Sequence, residues 1–174
     1  EVAAGTYQPT GGGNIFGTEL QFALPLNVVA DFLDGFGILG YYTHLDNNVK
    51  VNNQQADIIG LSDESYGITA YFEKMGFEAR VSGNYRSEYT AEVRGGNNGL
   101  QNTSVLATEL WDAQIGYDFG RGGFDGALGG LAVFLSGTNL TNEPYVQFEH
   151  DDERQITRYS NYGRNYQLGL RYKF

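Results

Sequence analysis

The run His150-Asp151-Asp152 beside Glu149 is the one place in this chain where acid/base or metal chemistry could gather. An imidazole next to carboxylates can move a proton near neutral pH or share a divalent cation. Two features count against such a site. The chain has only two His, the second being His44, and the run lies in a polar stretch with no strand to fix its partners. A solvated acidic loop is the simpler reading. No catalytic residue, metal ligand or cofactor is therefore assigned, and His44 reads as a strand-end residue. The glycine-rich stretch Gly120 to Gly130 lacks the Lys-Ser/Thr continuation of a phosphate cradle and reads as a turn. Asn102-Thr103-Ser104 matches a glycosylation triplet and nothing else supports that use.

Two other groups carry more. Glu78, Arg80, Asn84, Arg86, Glu88, Asp112, Gln114 and Asp118 alternate with apolar residues, so a strand would set them all on one polar face. Tyr89, Arg94, Asn97, Asn98, Tyr145, Gln147, Arg154 and Tyr159 fall in polar stretches between strands. Rings with amide and guanidinium donors are the chemistry that holds sugars, and these eight are the substrate-loop candidates.

The elements that must position these groups are strands. Phe77, Ala79, Val81, Gly83 and Tyr85 alternate with Glu78, Arg80, Ser82, Asn84 and Arg86. The same period of two runs through Leu20–Leu24, Phe36–Thr43, Tyr66–Glu73, Trp111–Phe119, Leu131–Leu135 and Tyr166–Phe174. That predicts about seven strands and no long helix, beyond one turn near Val28 to Leu33. Short turns, as at Glu73-Lys74-Met75-Gly76, alternate with long polar loops at about 44–65, 89–109 and 146–164. Phe36, Phe72, Phe77, Phe119 and Phe174 collect at the short-turn ends, where an aromatic girdle at a lipid boundary would sit.

Composition fits that pattern. Of 174 residues 41% are hydrophobic, 14% aromatic and 18% charged, with 25 Gly and no Cys, yet mean hydropathy is −0.38. Lipid-facing and water-facing residues averaged together give such a number. No apolar run approaches the roughly 20 residues of a membrane helix. The formal net charge of −10 speaks against a nucleic-acid partner, and no disulfide can form. The start at Glu1, without Met or a leader-like segment, suggests a processed product or a piece of a longer chain.

Gly137-Thr138-Asn139-Leu140-Thr141-Asn142-Glu143-Pro144-Tyr145, then Tyr162-Gly163-Arg164-Asn165-Tyr166, then Leu168-Gly169-Leu170-Arg171-Tyr172-Lys173-Phe174 resemble the C-terminus of TonB-dependent outer-membrane receptors. Upstream, Gly35-Phe36-Gly37, Gly76-Phe77, Asn84-Tyr85-Arg86-Ser87 and Asp112-Ala113-Gln114-Ile115-Gly116-Tyr117 agree in order and spacing. The resemblance runs from about Asn14 to Phe174 and is nearest the branch common in Xanthomonas- and Caulobacter-type bacteria, many of whose members import carbohydrates. It implies an all-β, transmembrane antiparallel β-barrel, with residues 1–174 supplying about the last seven strands of 22. The plug domain and earlier strands would lie outside this sequence.

By that resemblance, Glu78, Arg80, Asn84, Arg86, Asp112, Gln114 and Asp118 face the lumen and plug. Gln167, Gly169, Tyr172 and Phe174 form the signal read by the barrel-assembly machinery. Outer-membrane lipid, the rest of the barrel, the plug and, through it, the TonB complex would be the partners, in the outer membrane of a Gram-negative bacterium. The expected function is energised uptake of a scarce solute, an oligosaccharide first, with a ferric siderophore, haem or cobalamin as alternative. Readings of another class are a barrel enzyme using the His150 and Asp151 region, or a soluble carbohydrate-binding β-domain.

Overall fold

A computed structural model describes residues 11–51, 54–94, 100–149 and 152–174. In chain order the strands begin with β1 (Gly11–Gly12), β2 (Ile15–Pro25), β3 (Phe36–Asn47), β4 (Lys50–Val51) and β5 (Gln54–Gln55). There follow β6 (Glu64–Lys74), β7 (Phe77–Arg86), β8 (Tyr89–Arg94), β9 (Leu100–Val105) and β10 (Thr108–Asp118). The last are β11 (Leu131–Thr138), β12 (Tyr145–Glu149), β13 (Asp152–Ser160) and β14 (Asn165–Tyr172). Short 3-10 turns at Leu26–Val28, Asp31–Leu33 and Gly126–Leu128 complete the elements, and among the described residues no helix is long and apolar enough to cross a membrane.

The seven long strands form one antiparallel sheet in the order β14-β11-β10-β7-β6-β3-β2. Leaving the long-loop segments aside, this is an up-and-down meander, and its two outer strands, β14 and β2, pair on one side only. Five of the seven alternating segments read from sequence lie wholly within one of these strands; Trp111–Phe119 overruns β10 by one residue and Tyr166–Phe174 overruns β14 by two. The final strand's regular pairing ends at Tyr172, and Lys173 donates one further bond to Gly130 O at 2.8 Å.

Register fixes the two faces. Across β3, β6, β7 and β10, Tyr41, Gly67, Asn84 and Leu110 stand in one row on the polar face. On the other face Tyr42, Tyr66 and Tyr85 form a row near the long-loop end, with the Tyr66 and Tyr85 rings stacked at 4.7 Å. Near the short-turn end the same face carries Phe36 against Phe72 at 4.4 Å, and Phe72 against Phe77 at 5.8 Å. Between the rows lie aliphatic side chains such as Ile68, Val81, Ile115 and Leu135, each close to half exposed. Among the described residues no second layer covers this face.

Glycine and aromatic abundance share one cause. Phe22 lies over Gly40, Tyr71 over Gly37, Tyr41 over Gly67, Trp111 over Gly83 and Phe134 over Gly169, each pair directly opposed across two strands. A ring can lie flat on the sheet only where its cross-strand neighbour has no Cβ, and such pairs lock register. The tight turn forms as expected: Met75 (φ 51°) and Gly76 (φ 81°) both take left-handed values in a two-residue hairpin. The connection between β2 and β3 is tied to the end of β6 by Lys74 Nζ on Asp34 Oδ2 at 3.0 Å.

Two long loops differ from expectation. The stretches 89–109 and 146–164, read as irregular, largely fold into a four-stranded sheet ordered β13-β12-β9-β8. Its centre is packed: Val105, Phe148 and Val146 are buried, as are Thr103 and Gln147. β-Branched and aromatic residues in Tyr145-Val146-Gln147-Phe148 and Ile156-Thr157-Arg158-Tyr159 were the available signal, masked by the surrounding Asn, Asp and Glu.

Candidate functional site

The polar-face residues come together. β7 supplies Glu78, Arg80, Asn84 and Arg86, and β10 supplies Asp112, Gln114 and Asp118, with Arg80 opposite Gln114 and Asp112 opposite Ser82. Beside them Thr69 and Ser82 share a hydroxyl hydrogen bond at 2.9 Å between β6 and β7. Asp118 Oδ2 lies 3.6 Å from Arg171 Nη2, with Ala132 between them on β11.

Asp112 has a fixed duty. Its Oδ1 accepts the backbone N–H of Asn139 at 2.9 Å. Asn139 is left-handed (φ 52°); its side chain accepts from Glu143 N at 2.7 Å and donates to the carbonyls of Glu143 and Gly163. The Gly-Thr-Asn-Leu-Thr-Asn segment is thus a knot that ties the ends of β10, β11 and β14 together. Its architectural role was not evident from composition or alternation.

At the long-loop end Arg86 joins the wall to the loops. Its Nε donates to Ser62 Oγ at 2.6 Å, Nη2 donates to Gly60 O, and its plane lies 3.8 Å from the Tyr89 ring centre. Tyr89 and Tyr145 share a hydroxyl hydrogen bond, and Arg158 stands over the Tyr145 ring at 5.6 Å. Burial, then the neighbouring Tyr89 hydroxyl, push the Tyr145 hydroxyl above its ordinary value, while Arg158 and Arg86 oppose the shift. Arg158 belongs to this line of alternating rings and guanidiniums and was not singled out from sequence. Strand pairing, which one sequence does not display, is what brings it there.

The other loop candidates scatter. Tyr159 is well exposed on β13. Gln147 is only 6% exposed, set between Val105 and Arg158 in the small sheet, so its amide is packed rather than offered to a ligand. Arg94 ends β8. Asn97, Asn98, His150 and Asp151 lie outside the described residues. Glu88 borders a polar pocket of about 280 Å³ with Asp57 and Asp63. Among the described residues no group of three or more His, Asp or Glu is placed to hold a metal ion. His44, inside β3 rather than at its end, has Nε2 3.5 Å from Asp46 Oδ1 and Nδ1 3.8 Å from Glu64 Oε1. In the last strand Gln167 faces Ser136, Gly169 faces Phe134 and Tyr172 faces Leu131, while Phe174 packs edgewise on Tyr172 at 5.0 Å.

Arg154 is already engaged. Its Nε and Nη2 both donate to the Asp152 carboxylate at 2.8 Å, and this fork lowers the Asp152 pKa from 3.8 to about 2. A depressed carboxylate contributes at full strength above its unfolded value and loses that contribution as pH falls through its folded value. The start of β13 should therefore stay pinned at pH 4 and loosen towards pH 2. Carboxyl-carbon NMR titration should find the Asp152 midpoint near 2, and a midpoint at 3.8 would show the fork open in solution.

Comparison with protein-family models and with curated proteins finds no match to this chain.

Proposed function

We propose that this chain is the C-terminal, seven-strand part of a TonB-dependent receptor barrel in the outer membrane of a Gram-negative bacterium. The whole receptor takes up a scarce solute, an oligosaccharide. One observation carries the reading: the seven-strand sheet has an apolar face bounded by a Tyr row and a Phe row and left uncovered. A soluble monomer rarely leaves such a patch in water. In lipid the same face needs no cover, and sheets persist there by closing so that no edge lacks partners. Six residues separate Phe36 from Tyr42 on β3, on the order of 20 Å along a strand, comparable to the apolar band of about 25 Å in outer-membrane barrels.

The remaining features follow from that placement. Glu78, Arg80, Gln114 and their row neighbours then face a water-filled lumen and the plug, and the small four-stranded sheet stands at the long-loop end. The two unpaired edges, β2 and β14, join the rest of the barrel. Gln167, Gly169, Tyr172 and Phe174 act as the assembly signal, and the plug transmits force from the TonB complex. The acidic balance of the chain, 21 acids to 11 bases, favours a neutral sugar over a ferric chelate, for which basic loops are common.

The single Trp is a built-in probe. Trp111 lies on the apolar face, its ring against Gly83 and its Nε1 donating to Glu109 Oε1 at 2.8 Å. In vesicles with brominated acyl chains its emission should be blue-shifted and strongly quenched. Unquenched emission, or a folded monomer without detergent, sinks the membrane reading. In a strain lacking the gene, lost growth on an oligosaccharide with intact growth under iron limitation is the expected result for the substrate class.

A further inference from the structure

Resting on the oligosaccharide reading above, we infer that the substrate-binding subsite on this chain is a hollow in the polar wall, floored by Tyr41, Asn84 and Leu110 and bordered by Gly60-Leu61-Ser62. It would take a neutral sugar.

The hollow has a volume of about 490 Å³, within the range of small-molecule sites. Tyr41, Asn84 and Leu110 form its floor; they share one cross-strand row with Gly67, which lies beneath the Tyr41 ring. Because Gly67 has no side chain, the Tyr41 ring and Asn84 Oδ1 both lean into the space above it; a Cβ there would lie 2.8 Å from that oxygen. Thr108 and Ser65, one row nearer the loops, also line the hollow. The segment Gly60-Leu61-Ser62 borders it.

That border is held in advance. Arg86 binds Ser62 Oγ and Gly60 O, Gly60 N donates to Thr90 O at 2.8 Å, and Ser62 bridges to Tyr89. A cavity fixed before binding avoids the entropy of ordering a loop on the ligand. The same bonds account for the only charged lining residue, Arg86, whose plane also rests on Tyr89. Among the described residues no carboxylate lines the hollow, in a chain with 21 Asp and Glu. Besides the engaged Arg86, the lining holds two tyrosines, one amide, the hydroxyl residues Ser62, Ser65 and Thr108, and aliphatic carbon. Sugars present this complement: C–H faces that stack on a ring and hydroxyls that both donate and accept. An anion would find no unengaged cation at the floor, and a ferric chelate would find no basic rim.

The test uses the complete receptor that carries this chain, in detergent micelles, with maltotriose and xylotriose as neutral probes and trigalacturonate as the anionic one. Binding is read by saturation-transfer NMR and calorimetry, and folding by thermal melting. At least one neutral trisaccharide should bind. Tyr41→Ala should weaken it about tenfold and Asn84→Ala several-fold, the cost of removing a stacking face or of orphaning sugar hydroxyls. Tyr41→Phe, which keeps the ring, should stay within about twofold, as should Tyr159→Ala in the exposed loop strand. Neutral binding that survives Tyr41→Ala but is lost in Tyr159→Ala overturns the wall subsite and leaves the sugar reading standing. Binding of trigalacturonate alone overturns the neutral class. No binding by any probe overturns the subsite together with the oligosaccharide reading.

Discussion

Val81→Arg should destabilise the complete receptor folded in vesicles by about 2–4 kcal/mol, the cost of a guanidinium at mid-depth on a lipid-facing strand. Val81 is the sharpest position for this because β7 is the middle strand of seven, and Val81 lies midway between Phe77 and Tyr85 on its apolar face. Gln114→Glu puts a charge on the opposite face, across from Arg80, and should change stability by under about 0.5 kcal/mol. The decisive comparison is depth. Leu131→Arg, at the turn end of β11, should cost only about 0–1 kcal/mol, because a long cation there reaches the headgroups. If the face were instead packed against protein, burial rather than depth would rank the costs. Urea titration of Trp111 emission in vesicles measures all three, and equal losses at Val81 and Leu131 would contradict a lipid-facing wall.

The second large effect concerns Gly169. A side chain there collides with the Phe134 ring, which lies flat across it. Gly169→Val should cost about 1–3 kcal/mol by overpacking. Gly169 also lies in the proposed assembly signal, so the loss alone would not separate packing from recognition. A double-mutant cycle does. If packing is the cause, Phe134→Ala with Gly169→Val should be less harmful than the two single losses summed, with a coupling of about 0.5–3 kcal/mol. Additive losses in vitro, joined to failed insertion in cells, would assign Gly169 to recognition by the assembly machinery instead.

How far the fold was legible follows from what alternation reports. Period two is a property of one strand, so β7, β10 and β14 could be found singly, and even β11 with its weaker polar alternates. Facing was legible for the same reason: Glu78, Arg80, Asn84, Arg86, Asp112, Gln114 and Asp118 fall on one side of the sheet, whereas Glu88 lies past the end of β7. Pairing belongs to two strands and is invisible in either alone. The Tyr42-Tyr66-Tyr85 row, the aromatic-on-glycine contacts and the approach of Arg158 to Tyr145 all depend on it. The loops were misread where composition overrode pattern: Gln147 looked like an available amide because its segment is polar, yet Val146 and Phe148 draw that segment into a core. Tyr41 and Gly67 escaped notice as site residues because each reads, by itself, as ordinary strand material.

The order of the wall strands also bears on how it can form. Every strand in the meander pairs with the one that precedes or follows it along the wall, and the longest excursion between two such strands is the β11-to-β14 connection. Loop closure becomes costlier only logarithmically with length, so no step demands that distant parts of the chain find each other first. Such a wall can be laid down sequentially from either side, each new hairpin templated on the last. Errors would then stay local, since a misplaced strand blocks only the next addition rather than the whole topology.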